Sequence, residues 1–128
     1  MPWIEISNIG PLKKIGNNLV TTYRDNDVYC TLDDTQHYIK LPQKYRGFEY
    51  YAGFTSAQYE AVIKLLKFLC AKYNIPKTFV SVGKRYNIMT ATDFMNFKGI
   101  TSHVNCRTDK TDIGPAFDWN RVIQGLNS

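Results

Sequence analysis

Residues 103–119 read HVNCRTDKTDIGPAFDW. They gather groups that a plain surface loop does not need: the imidazole of His103, the ammonium of Lys110 and the carboxylate of Asp112. A histidine nitrogen and a carboxylate oxygen are ordinary zinc ligands, and a catalytic zinc takes three protein ligands while keeping one position for water. Lys110, two residues before Asp112, can bring a positive charge beside that water or beside an oxyanion, which is the electrostatic help an amide hydrolysis needs. Gly114 and Pro115 turn the backbone, and Phe117 and Trp119 return it to the core. The same residues also suit a salt-bridged loop in which Asp112 and Lys110 are simply paired. Residue types alone leave both readings open.

The elements that must position this stretch follow from the rest of the chain. Trp3, Glu5 and Ser7 alternate with Ile4 and Ile6, which predicts a strand with one buried face. Leu19 to Leu41 shows β-rich runs broken at Asp25-Asn26-Asp27 and Asp33-Asp34, predicting a hairpin or meander. YRGFEYYAGF, Tyr45 to Phe54, reads as an aromatic loop that either lines a groove, with Tyr50, Tyr51 and Phe54 as substrate contacts, or covers a sheet edge. TSAQYEAVIKLLKFLCAKYNIP predicts a helix. Thr55 and Gln58 form a capping box, Tyr59, Val62, Leu66, Leu69 and Tyr73 recur at helical spacing, and Pro76 ends it. Glu60, Lys64 and Lys67 mark its solvated face. TFVSVG predicts a short strand, TATDFMNF a turn or short helix, and KGITSHV a strand that delivers His103 at its end. DWNRVIQGL predicts a closing helix with Asp118 near its start.

The bulk numbers set bounds. A chain of 128 residues, 44% hydrophobic and 14% aromatic, is the size of one domain over 1–128 with a real core. No apolar run approaches the roughly 20 residues that cross a bilayer, and the first residues lack a secretory signal's basic and apolar regions. The chain as given therefore names no compartment. Three cysteines at irregular spacing argue for reduced thiols, with Cys70 in the core. A net charge of +5 favours polyanionic partners in general: nucleic acid, an anionic membrane or an acidic wall polymer. Scattered lysines and the lack of a nucleic-acid motif argue against DNA or RNA.

The stretch HVNCRTDKTDIGPAFDW resembles the C-terminal signature of zinc-dependent N-acetylmuramoyl-L-alanine amidases of the type-2 amidase family, a histidine followed by K-T-D-P-G-P-x-F-x-W. Ile113 stands where that pattern often has proline. FTSAQYEAVIKLLKFLCAKYNIP resembles the family's helix after its aromatic loop, and WIEISNIGPL its strand I-x-I-E-x-x-N, so an ordered resemblance covers nearly the whole chain. It implies an α/β fold with a mixed central β-sheet flanked by helices, like that of peptidoglycan-recognition proteins. It also implies Zn2+ as cofactor, held by His103 and Asp112, with Lys110 as transition-state stabiliser and Glu5 as general base. The implied reaction is hydrolysis of the amide between N-acetylmuramic acid and L-alanine in peptidoglycan or muropeptide fragments.

One departure matters. The family carries another histidine ligand in an upstream segment resembling I-V-I-H-x-T, and no such segment is present here. His37, in DDTQHYIKL, reads as a hairpin or surface residue, and Cys106, three residues after His103, is an alternative thiolate ligand. The expectation is therefore a domain lacking the family's upstream part, prone to pair as a homodimer through a bare sheet edge. It either cleaves peptidoglycan or binds muropeptide without cutting.

Overall fold

A computed structural model describes residues 2–23 and 26–128. Asp25, part of the first predicted turn, lies outside the described residues. The chain divides into two compact units. One comprises Glu5–Gln58 with Pro115–Phe117, and the other Met1–Ile4, Tyr59–Gly114 and Asp118–Ser128.

The first unit is a five-stranded sheet: β1 (Pro11–Ile15), β2 (Asn18–Thr21), β3 (Val28–Thr31), β4 (Tyr38–Tyr45) and β5 (Phe48–Ala52), in the order β3-β2-β1-β5-β4. Every pairing is antiparallel. Leu12, Leu19, Cys30, Tyr50 and Ala52 form its core, and Ile9, Leu32 and Tyr38 pack against them. The hairpin expected between Leu19 and Leu41 is present as β2–β3. The turn at Asp33-Asp34 is fixed by the Asp34 carboxylate, which accepts from the Thr31 backbone N–H at 2.8 Å and from the Thr31 hydroxyl at 3.1 Å. Those two bonds hold the Asp34 carboxyl below its usual range.

Three expectations for this unit need correction. The aromatic segment from Tyr45 to Phe54 is not a loop but largely the β4–β5 hairpin, turned at Arg46 and Gly47, both at positive φ. Tyr50 and Tyr51 are accordingly core residues, 7% and 6% exposed, and the Tyr51 hydroxyl donates to the Tyr45 carbonyl. Phe54 is half-buried, edge-on to Phe117 at 5.2 Å. Secondly, the segment carrying Glu5 is no strand. Side chains bond its backbone between Ser7 and Gly10: Asn8 Oδ1 accepts from Gly10 N–H at 2.7 Å, and Gln58 Nε2 donates to the Ser7 carbonyl at 2.7 Å, while the Gly10 carbonyl accepts from Ala52 N–H at 2.9 Å as β1 is approached. An asparagine that closes its own turn takes the backbone out of a ladder. Thirdly, the sheet is antiparallel rather than mixed, and the other predicted strands do not join it.

The second unit carries the helices. Within α1 (Ser56–Tyr73), Tyr59, Val62 and Cys70 are buried, while Glu60, Lys64 and Lys67 are exposed as their spacing predicts. The capping box at its start is formed, Thr55 and Gln58 exchanging bonds of 2.9 and 3.1 Å. α2 (Ala91–Asn96) is capped by Thr90, and α3 (Trp119–Leu126) by Asp118, whose carboxylate accepts from Arg121 N–H at 3.1 Å. α1 and α3 meet closely at Gly125, where any Cβ would collide with the Ile63 side chain. The strands predicted at Thr78–Val82 and Ile100–His103 shrink to a single parallel bridge, Phe79 with Ile100. Gly99 permits it: at φ +153°, a Cβ there would run into the Thr78 backbone, whose carbonyl accepts from Ile100 N–H at 2.8 Å. No helix among the described residues is long and apolar enough to cross a membrane.

Candidate functional site

His103 sits not at a strand end but at the first position of a short 3₁₀ turn, His103–Asn105. The turn forms because Ser102 and Asn105 cap each other. Ser102 N–H donates to Asn105 Oδ1 at 2.9 Å, and Asn105 N–H donates to the Ser102 carbonyl at 3.0 Å. Asn105 is 1% exposed, and its Nδ2 donates to the carbonyls of Arg85 and Asn87 at 3.0 and 2.9 Å. The Met89 N–H returns a bond to the Asn105 carbonyl at 2.8 Å. One buried amide thus ties residues 85–89 to the turn and aims His103. The serine and asparagine three apart were the sequence signal for this arrangement, and the reading of a strand ending in His103 missed it.

From Cys106 the chain loops out and returns. Arg107 and Asp109 form an exposed two-pronged ion pair, 2.9 and 2.7 Å, which holds the Asp109 carboxyl below its usual range. The return is fixed by the Val104 N–H, which donates to the Asp112 carbonyl at 2.9 Å. That bond brings the Asp112 carboxylate to His103: Nδ1 and Oδ2 are 3.1 Å apart, with the imidazole 16% and the carboxylate 63% exposed. The Asp112–Ile113 peptide is cis and Gly114 follows at φ +87°. Lys110 is half-buried on the same loop. Trp3, 61% exposed, sets its indole edge-on to the His103 ring, with centroids 4.8 Å apart. Nothing in the sequence reading pointed to that contact.

Of the residues expected to act together, the structure pairs His103 with Asp112 and keeps Lys110 on their loop. Glu5 is exposed and belongs to the sheet unit, whereas His103, Lys110 and Asp112 belong to the other. His37 is an exposed turn residue of the sheet unit, its N–H donating to the Asp34 carbonyl at 2.9 Å. Cys106 turns its thiol to the His103 carbonyl at 3.4 Å. Phe117 is buried, and Trp119 is half-buried with Arg85 stacked 6.0 Å from its ring.

Two adjacent ligands of a tetrahedral zinc lie about 3.4 Å from one another. The 3.1 Å between His103 Nδ1 and Asp112 Oδ2 is a hydrogen-bond distance and also falls near that spacing. A third protein corner is not supplied: among the described residues no group of three His, Cys, Asp or Glu side chains can hold a metal ion. The donor set present here does not make a catalytic zinc centre by itself. Comparison with known proteins found no matching family model, no matching curated protein and no matching solved structure.

Proposed function

We propose that this chain is a peptidoglycan-directed domain of the zinc-amidase type, acting on the amide between N-acetylmuramic acid and L-alanine. The observation that carries the reading is the 3.1 Å approach of His103 Nδ1 to Asp112 Oδ2 across nine residues, held by a backbone bond and a capped turn. A loop that merely paired charges would join Lys110 or Arg107 to Asp112. Here Arg107 takes Asp109, and the carboxylate of Asp112 meets an imidazole. The motif around them, with Lys110 before Asp112 and Gly114-Pro115 after it, supports the same assignment. In this reading Lys110 holds the oxygen of the bound amide, and Glu5 is the base for the attacking water.

A second reading, muropeptide binding without cleavage, is favoured by one observation: the described residues bring together two metal donors where a catalytic centre takes three. The experiment that separates the two is zinc analysis of the purified chain under chelator competition, followed by a muropeptide amidase assay. For an amidase, Asp112→Ala loses metal, Glu5→Gln keeps metal but loses turnover, and Lys110→Ala slows turnover by about 10²-fold or more. For a binder, muropeptide is retained without zinc or product. A chain that neither holds zinc nor binds muropeptide ends both readings.

A further inference from the structure

The contact between Trp3 and His103 has no task in the chemistry proposed for the site. Trp3, His103 and Asp112 all lie in the same compact unit. An indole carries more apolar surface than other side chains, and leaving 61% of Trp3 in water forgoes most of what its burial would contribute. Its ring stands at 88° to the imidazole, with centroids 4.8 Å apart. The edge of the indole is taken up by His103. Its broad faces stay open, and the imidazole stands at their margin. Asp112 extends the cluster: its Oδ2 lies 3.1 Å from His103 Nδ1, and among the described residues its Oδ1 accepts no hydrogen bond, although the carboxylate is 63% exposed.

An open indole face beside an imidazole and a carboxylate is selective by its chemistry. Indole faces are electron-rich and attract the weakly positive C–H groups along one side of a pyranose, while the hydroxyls at the rim of such a sugar are donors suited to a carboxylate. A methylated ammonium is held by several rings together, and among the described residues Trp3 meets no aromatic side chain other than His103. A nucleic acid base also stacks, but it brings phosphate toward the Asp112 carboxylate, where like charges repel. In a muropeptide the lactyl ether joins the pyranose to the amide, so the sugar ring lies only a few bonds from the group that the His103–Asp112 pair engages.

We propose that Trp3 is the sugar platform of this site: the N-acetylmuramyl ring stacks on the open indole face beside His103, and the chain thereby selects glycan-bearing peptide over free stem peptide. The identity of the sugar rests on the peptidoglycan reading, and the platform itself on the contact of Trp3 with His103.

The test titrates the full chain, with chelator present so that no probe is cleaved, and follows its backbone amides by NMR. One probe is N-acetylmuramyl-L-alanyl-D-isoglutamine. The other is lactoyl-L-alanyl-D-isoglutamine, which keeps the lactyl amide and lacks only the sugar. The muramyl probe should bind about tenfold more tightly. Trp3→Ala should remove that preference without changing the affinity for the lactoyl probe, and Trp3→Phe, which keeps a ring, should restore part of it. Equal affinities for the two probes, or a preference that survives Trp3→Ala, overturn the platform and leave the peptidoglycan reading standing. If neither probe binds, that reading fails, and a trisaccharide of N-acetylglucosamine decides the platform alone: binding that Trp3→Ala abolishes upholds it, and no binding overturns it. The same spectra show whether each variant is folded.

Discussion

Two asparagines do the same job in the two units and do it under opposite conditions. Asn8, on the way into the sheet, donates to the carbonyls of Ala52 and Gly53 at 3.1 and 3.3 Å and closes its own turn through Gly10 N–H. Asn105 likewise bonds backbone groups on two separate segments. Asn8 is exposed and Asn105 is 1% exposed. Around Asn8 the bonds to Gly53 and Gly10 are exposed and that to Ala52 only part-buried, so water can replace most of what a substitution removes. Around Asn105 it cannot, so each orphaned carbonyl or N–H keeps its full desolvation cost. The sheet unit spreads its geometry over a repeating ladder, whereas the turn that aims His103 rests on one side chain.

The strongest way to break this contrast is Asn105→Ala. It strands the Arg85 and Asn87 carbonyls and the Ser102 N–H, and should cost about 3 kcal/mol or more in urea denaturation. A loss under about 1 kcal/mol would mean that the turn has other support. Leu19→Ala measures what an apolar residue is worth in the ladder unit: at 0% exposure, its removal should cost about 3 kcal/mol by the same assay. Asn8→Ala sharpens the comparison from the other side and should cost about 1 kcal/mol or less. The smallest effect concerns pH. The folded state holds the Asp34 carboxyl below its usual range, so this turn's contribution is present above the ordinary carboxylate range and is lost as pH falls through the lowered value. Asp34→Asn should flatten the acid limb of the stability curve, and an unchanged limb would remove Asp34 from the account.

Periodicity made some of this molecule legible and not the rest. α1 and its capping box, α3 with Asp118 at its start, the β2–β3 hairpin and the burial of Cys70 all follow from local pattern, because a repeat or a cap is a property of neighbouring residues. The β4–β5 hairpin was hidden by its aromatic content, which suits a loop lining as well as a buried strand. Trp3 to Ser7 shows the reverse error. Its alternation is strand-like, yet among the described residues no partner strand forms a ladder with it, and Asn8 bends the chain away. In the candidate site, the residue types of His103, Lys110 and Asp112 could be read. The 3.1 Å pairing and the 3₁₀ turn depend on Asn105 reaching residues some twenty positions earlier, which no local window contains.

The edge contact between Trp3 and His103 gives the protein a built-in optical probe. The chain has two tryptophans. The second, Trp119, lies half-buried beside Phe79 and Arg85, and its emission is removed from the signal by Trp119→Phe. Trp3 is largely in water and touches the imidazole through its ring edge, so an ion or ligand that engages His103 changes the surroundings of this emitter directly. Titration of the unlabelled chain can thus follow occupancy of the pair directly, and Trp3→Phe silences the signal while keeping an aromatic ring in its place.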